Sequence, residues 1–301
     1  MNQFLLGNGA LLLTSFIWGS AFVAQVTGMD LIGPFSFSAS RCFLSTLFVF
    51  MLILFQKEKD TTKLKDLLLG GAACGIFLFL GSSCQQVGLL YTTAGKTSFI
   101  TSLYIVLVPI LGIFFKKKVN LFTWMAVFLG TVGLYLLAMS GLTEGAAINK
   151  GDLFVFLGSF FWAGHILIID HFTKKVNPIK LSCLQFAVTT CLAAIVALSI
   201  EAPTLPNIFA SWKSIAYAGI LSGGIAYTLQ IVGQKHTTNA TLASLILSLE
   251  SVFGAIAGFV VLHERLKASE ILGCVIMFIA ILVAQIPSDF FEKRKENSIL
   301  C

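Results

Sequence analysis

Two lone charges and five other polar or aromatic side chains interrupt the long apolar runs of this chain. Arg41 and Glu250 are the single charges in the runs 31 to 55 and 237 to 262. An ionised side chain at the middle of a membrane helix costs roughly 2.5 to 3.5 kcal/mol, so it persists only with a partner or a wet cavity. One reading makes the two a binding site, with Arg41 receiving a carboxylate and Glu250 an ammonium or a proton. The other makes them a mutual lock between helices. At 1.5 Å per residue, Arg41 lies about 12 Å from one face and Glu250 about 16 Å from the other. In a hydrocarbon core about 30 Å thick those depths nearly coincide, so an ion pair is geometrically allowed. Arg41 is read chiefly as a structural or charge-pair residue, and Glu250 as part of a site.

Gln85 and Gln230 offer paired amides able either to hydrogen-bond a polar solute or to bridge neighbouring helices. Trp18 and Trp162 lie too deep for interfacial anchors and are read as aromatic walls or as packing. Histidine as a residue type titrates near neutral pH, so His165 could carry a proton, although a lone histidine within a membrane helix also serves as a hydrogen-bonded helix contact. His165 and His171 have no further ligands beside them, so no metal site is expected. Lys96, after Gly95 at the start of an apolar run, reads as a cation that guides anions at the outer mouth or, more simply, snorkels to the interface.

The elements that must position these groups are membrane helices. Of 301 residues, 57% are hydrophobic and only 11% are charged, with a mean hydropathy of +0.91. Eight charge-free windows of spanning length occur, at residues 4 to 29, 67 to 95, 97 to 115, 119 to 143, 153 to 169, 181 to 200, 214 to 234 and 271 to 288. Adding the runs that hold Arg41 and Glu250 gives ten helices of about 20 residues, which leaves no length for a soluble domain. The first run has no Lys or Arg before it and outlasts a signal-peptide core, so it is read as helix one. Six cysteines, at 42, 74, 84, 183, 191 and 274, fall within spans, without a CxxC pair or a partner for Cys301. They are read as small apolar residues.

The chain also repeats itself. Ser15, Phe16, Trp18 and Pro34 recur as Ser159, Phe160, Trp162 and Pro178 at an offset of 144, and Gln85, Gly88, Thr92 and Thr93 recur as Gln230, Gly233, Thr237 and Thr238 at 145. Five spans per half is an odd number, so the halves must insert in opposite senses, as inverted repeats do. The expected division is 1–145, 149–290 and a short basic tail 291–301, with the joint in the polar stretch 143 to 150. Assigning Lys and Arg to alternate sides places fourteen on the side of the termini and five on the other. Both termini are therefore expected in the cytoplasm, and the net charge of +6 is met by lipid headgroups rather than nucleic acid. Small residues one turn apart, Gly71 with Gly75, Gly219 with Gly223 and Gly254 with Gly258, are read as sites of close helix approach or as chance spacing.

Several segments, in order, resemble the EamA branch of the drug/metabolite transporter superfamily. They are Trp18-Gly19-Ser20-Ala21-Phe22-Val23, Arg41, Gly88 to Lys96 leading to Pro109, and Leu249-Glu250-Ser251-Val252-Phe253 leading to Glu264-Arg265-Leu266. The resemblance implies a ten-helix, all-α, inverted-repeat carrier that exports amino acids, related metabolites or toxic compounds. Two family features differ here. Lys116-Lys117-Lys118 replaces an acidic residue after helix four, and Ser251 replaces a proline after Glu250.

The expected function is a secondary transporter of small amphipathic metabolites in the cytoplasmic membrane. It would work by alternating access, without a cofactor, with a small-molecule solute and a proton as candidate partners. Multidrug efflux is the alternative. No G-x-S-x-G, HExxH or phosphate-cradling glycine loop supports an enzyme, and no ring of like charges supports a channel. Oligomeric state cannot be read from the chain.

Overall fold

The computed structural model describes residues 3–56, 62–117, 119–139, 149–261 and 267–286. The expected joint at 143 to 148, the Glu264-Arg265-Leu266 motif and the basic tail lie outside the described residues. Every regular element among the described residues is helical. The first part of the chain forms α1 (Gln3–Gly28), α2 (Pro34–Phe55), α3 (Leu64–Leu89), α4 (Ala94–Thr101), α5 (Tyr104–Phe114) and α6 (Leu121–Met139). The second forms α7 (Lys150–Phe172), α8 (Pro178–Ile200), the short α9 (Leu205–Ala210) and α10 (Trp212–Ala216), a π-helical segment Tyr217–Tyr227, α11 (Thr228–His236), α12 (Ala240–Leu247), α13 (Glu250–Val261) and α14 (Ala268–Ala284).

Among the described residues, seven helical stretches are long and apolar enough to cross a membrane: Gln3–Phe22, Pro34–Phe55, Leu64–Leu89, Lys96–Phe114, Lys150–Phe172, Pro178–Ile200 and Trp212–His236. Leu121–Leu137, Ala240–Ile256 and Ala268–Ala284 are apolar but shorter, at 10–17 residues. Large apolar side chains point outward, with Phe55 and Phe114 80% exposed and Leu198 74% exposed, as a surface facing lipid requires. Inside, hydroxyls bond back to their own helix, as Ser45 Oγ does to the Arg41 carbonyl (2.8 Å) and Thr189 Oγ1 to that of Gln185 (2.8 Å). Such bonds satisfy a hydroxyl within its own helix, with no outside partner needed.

Helix starts follow local chemistry. Pro34 and Pro178 occupy first turns, where the missing N–H is not needed. Asn149 and Asp152 form a reciprocal capping box on α7. Thr93 caps α4 by accepting from the Lys96 N–H, and Asn239 caps α12 by accepting from the Leu242 N–H.

Two runs that the sequence presents as continuous are broken, each nine residues after its cap: α4 gives way to α5 after Ser102, and α12 to α13 after Ser248. The backbone tightens at both places to i→i+3 bonds, from Ile105 to Ser102 (3.1 Å) and from Ser251 to Ser248 (3.2 Å). Such turns redirect a helix without leaving its amides unpaired.

Packing pairs α6 with α14, α2 with α8, α3 with both α7 and α8, and α1 with α11 and α13, while the π-helical segment lies against α1 and α2. Glycines permit these approaches. A Cβ on Gly133 would meet the Gly273 carbonyl oxygen at 2.7 Å, and one on Gly219 would meet that of Arg41 at 2.9 Å. Gly75 packs on α8, where a Cβ would meet Val188 at 2.6 Å, and Gly71 and Gly223 lie against Leu184 and Ser45. The small-residue spacings of α3 and of the π-helical segment are therefore contact points.

Candidate functional site

The faces of these helices converge on one small cavity. From α1 come Trp18, Ala21, Phe22 and Gln25, spaced three and four apart so that they share one helical face. Arg41 of α2 and Gln85 of α3 join them, and Thr101 and Tyr104 flank the break between α4 and α5. Trp162 and Ile166 of α7, Ser222 and Tyr227 of the π-helical segment, Gln230 of α11 and Glu250 of α13 complete the lining. Six of the seven residues singled out from sequence thus meet in one place.

Glu250 enters the cavity because α13 lies directly on α1. A Cβ on Gly19 would come within 2.6 Å of the Glu250 carbonyl oxygen and 2.7 Å of the Gly254 nitrogen, so any larger residue would push the helices apart. The Glu250 carboxylate is 5% exposed, and its Oε1 accepts from Tyr104 Oη (3.2 Å) and more distantly from Ser102 Oγ (3.4 Å). The same break carries a hydroxyl cluster in which Ser251 meets Ser98 at 2.9 Å and Ser102 at 3.1 Å.

Arg41 is 6% exposed, and its Nε has no hydrogen-bond partner. Its guanidinium carbon lies 5.8 Å from the centre of the Phe37 ring. Among the described residues the ion pairs join Lys96 to Asp152 and Lys117 to Asp170, so Arg41 and Glu250 share the cavity without pairing. The lock between their helices that sequence allowed is not formed here.

The aromatic groups arrange around Tyr227, which lies 4.6 Å from Trp18 and 6.4 Å from Trp162 between ring centres. The two tryptophans are therefore walls joined through a tyrosine. Trp18 Nε1 donates to the Ser222 carbonyl at 3.1 Å, whereas Trp162 Nε1 has no partner. The two glutamines do not bond each other. Gln85 Nε2 donates to Gln25 Oε1 at 2.8 Å, and Gln230 Oε1 has no partner.

His165 is fully buried behind this wall, with its ring edge-on to Trp162 and Tyr227 and its Nε2 2.9 Å from Gln185 Oε1. It is not among the residues lining the cavity. Lys96 also differs from expectation. Its ammonium does not reach out to the interface but turns to Asp152 Oδ2 at 2.7 Å, with its side chain only 16% exposed.

Tyr104, Tyr227, Gln25, Thr101 and Ser222 are the polar lining residues that sequence reading did not select. Tyr104 carried a signal, since it lies 146 residues before Glu250, as Ala94 at the start of α4 lies before Ala240 at the start of α12. Among the described residues no three metal-ligating side chains come together. The site offers a buried cation, a buried carboxyl group, unpartnered donors and acceptors, and aromatic faces. That set suits reversible binding of a small amphipathic solute.

The profile of the EamA-like transporter family matches residues 5–139 and again 149–285. The chain belongs to the EamA-like transporter family. An uncharacterized transporter of Archaeoglobus fulgidus is 30% identical over 92% of this chain and 84% of its own length. The uncharacterized transporter YoaV of Bacillus subtilis is 21% identical over 93% of this chain and 96% of its own. A chloroplastic WAT1-related protein of Arabidopsis thaliana is 21% identical, over 90% of this chain and 67% of its own. A solved crystal structure at 16% identity superposes with a TM-score of 0.75 over 94% of this chain and 96% of that one, a likeness of fold. The protein is thus a multi-pass membrane transporter of the drug/metabolite type, and not an enzyme.

Proposed function

We propose that this transporter is a secondary exporter of small zwitterionic metabolites, amino acids and related compounds, working by alternating access across the cytoplasmic membrane. The observation that carries this reading is that Arg41 and Glu250 line one cavity without neutralising each other. A solute bearing both a carboxylate and an ammonium supplies the missing partner of each, and the ring faces of Trp18 and Tyr227 accept its apolar part.

The mechanism rests on two inverted five-helix repeats and ten crossings, with residues 1–145 and 149–290 as the halves and both termini in the cytoplasm. Support comes from the double family match and from the packing map. Exchanging each helix for its counterpart turns the pairing of α3 with α7 into that of α11 with α1, and leaves α6 with α14 and α2 with α8 unchanged. Two such halves can trade conformations, so that one end of the cavity opens as the other shuts. The turns Tyr91 to Lys96 and Lys235 to Asn239 are the gates.

Multidrug efflux is the second reading, favoured by the aromatic share of the lining. Proteoliposome uptake assays with an amino acid, its decarboxylated amine and its deaminated acid separate the two. The zwitterion reading predicts that only the intact amino acid competes strongly. Equal competition by the singly charged analogues, or by apolar cations alone, refutes it.

A further inference from the structure

The two gates are built from equivalent parts, with one chemical difference between them. At the first gate, Gly88 of α3 lies against Gly151 of α7. A Cβ on Gly88 would be 3.0 Å from the Gly151 carbonyl oxygen, and one on Gly151 would be 2.6 Å from that of Gly88. At the second, Gly233 of α11 lies against Gly7 of α1, with corresponding distances of 2.9 and 3.0 Å. Gly7 and Gly151 are 144 residues apart, and Gly88 and Gly233 are 145 apart. Beside each glycine pair a threonine from the turn donates to the first turns of the facing helix. Thr92 Oγ1 donates to Asp152 Oδ1 at 2.6 Å, and Thr237 Oγ1 to Asn8 Oδ1 at 2.9 Å.

Asp152 and Asn8 are equivalent residues, and one carries a charge where the other does not. The charged one also takes the Lys96 ammonium at 2.7 Å, with the carboxylate side chain only 7% exposed. Counting from the first residues of α4 and α12, the counterpart of Lys96 is Leu242, which has no charge to offer. Lys150 adds a further cation at the first gate, 3.7 Å above the centre of the Tyr91 ring.

We propose that the Lys96–Asp152 ion pair is a one-sided electrostatic latch: it holds the α3–α4 turn onto α7 and biases the transporter toward forms closed at that end. The opposing end is held by a neutral hydrogen bond and opens more readily. This inference rests on the alternating-access reading, because only a carrier with two gates has a bias between them. A largely buried, charge-assisted contact is stronger than its neutral counterpart, and the equilibrium between the two forms carries the difference.

The test uses the full-length protein in lipid nanodiscs, with native cysteines replaced by alanine. Spin labels at Leu90 and Leu153 report on the first gate, and labels at Leu5 and Lys235 on the second. Asp152→Asn removes the ion pair and leaves Thr92 a neutral amide acceptor, as Thr237 has in Asn8. It is expected to raise the ratio of open to closed forms at the first gate about tenfold, with a matching fall at the second, the change expected on removing one charge-assisted contact. Asn8→Asp with Leu242→Lys builds the missing latch, and added to Asp152→Asn it is expected to reverse the wild-type bias, with the first gate open and the second shut. Reciprocal gates whose populations Asp152→Asn leaves unchanged overturn the latch alone. Wild-type gates that lengthen together overturn the carrier reading beneath it.

Discussion

Replacing Glu250 by Gln keeps the shape of the side chain and removes only its charge. The remaining Oε1 can still accept from Tyr104 and Ser102, the two hydroxyls that reach Glu250. Stability therefore changes by less than about 1 kcal/mol, and the removal of a buried charge offsets part of any loss. Binding is different, because no other acidic group among those lining the cavity can take an ammonium. A charge-assisted hydrogen bond contributes about 1.5 to 3 kcal/mol, so apparent affinity should fall by roughly one to two orders of magnitude. The assay is saturable uptake into proteoliposomes, run beside a thermal unfolding series in detergent. The expected result is an unchanged Tm, within about 2 °C, together with a large loss of transport at every pH examined. Normal transport by Glu250→Gln across that range would refute the reasoning, since neither an ammonium nor a proton could then require the carboxylate.

Arg41→Met removes a guanidinium that makes no ion pair with a described residue. Yield should therefore hold while uptake falls at least tenfold, in contrast to the fold-holding part that sequence alone suggested, and a collapse in yield with residual uptake intact would restore that part. Gly19→Leu should lower Tm and yield through overpacking of about 1 to 3 kcal/mol, whereas Gly9→Leu, where an added Cβ meets nothing within 4 Å, should do neither; equal effects at the two sites would contradict the close approach of α1 and α13. Single cysteines at Lys63 and Lys175 should resist an impermeant reagent applied to intact cells while one at Lys213 reacts, and the opposite pattern would invert the orientation.

The membrane elements were legible because apolar runs of spanning length allow few alternatives, and because the 144- and 145-residue offsets tie one half to the other. The site was legible for a related reason. Polar groups are costly in such runs, so Arg41, Gln85, Gln230 and Glu250 each stand out, and the cavity collects all four. Tyr104 and Tyr227 stayed hidden because a tyrosine in a membrane helix serves equally as packing, and only the neighbouring helices decide which way it points. The π-helical Tyr217–Tyr227, which lies against α1 and α2, has no residue signature that distinguishes it from an α-helix. Lys96 was misread because its partner is 56 residues away, at a helix start where an aspartate already has a local reason to be, the capping box with Asn149. The equivalence of Asp152 with Asn8 was nonetheless present in the repeat offset.

Solute counterflow tests the central claim most directly. Proteoliposomes loaded with a high concentration of an unlabelled amino acid substrate are diluted into a trace of the labelled one, and internal label is followed in time. In a carrier that alternates access to a single cavity, the unlabelled solute inside competes with entered label for the outward step. The account therefore predicts a transient overshoot of label above equilibrium that saturates with substrate and is lost in Glu250→Gln. Uptake that rises linearly with concentration, without overshoot and with ion conductance across the same vesicles, would contradict it.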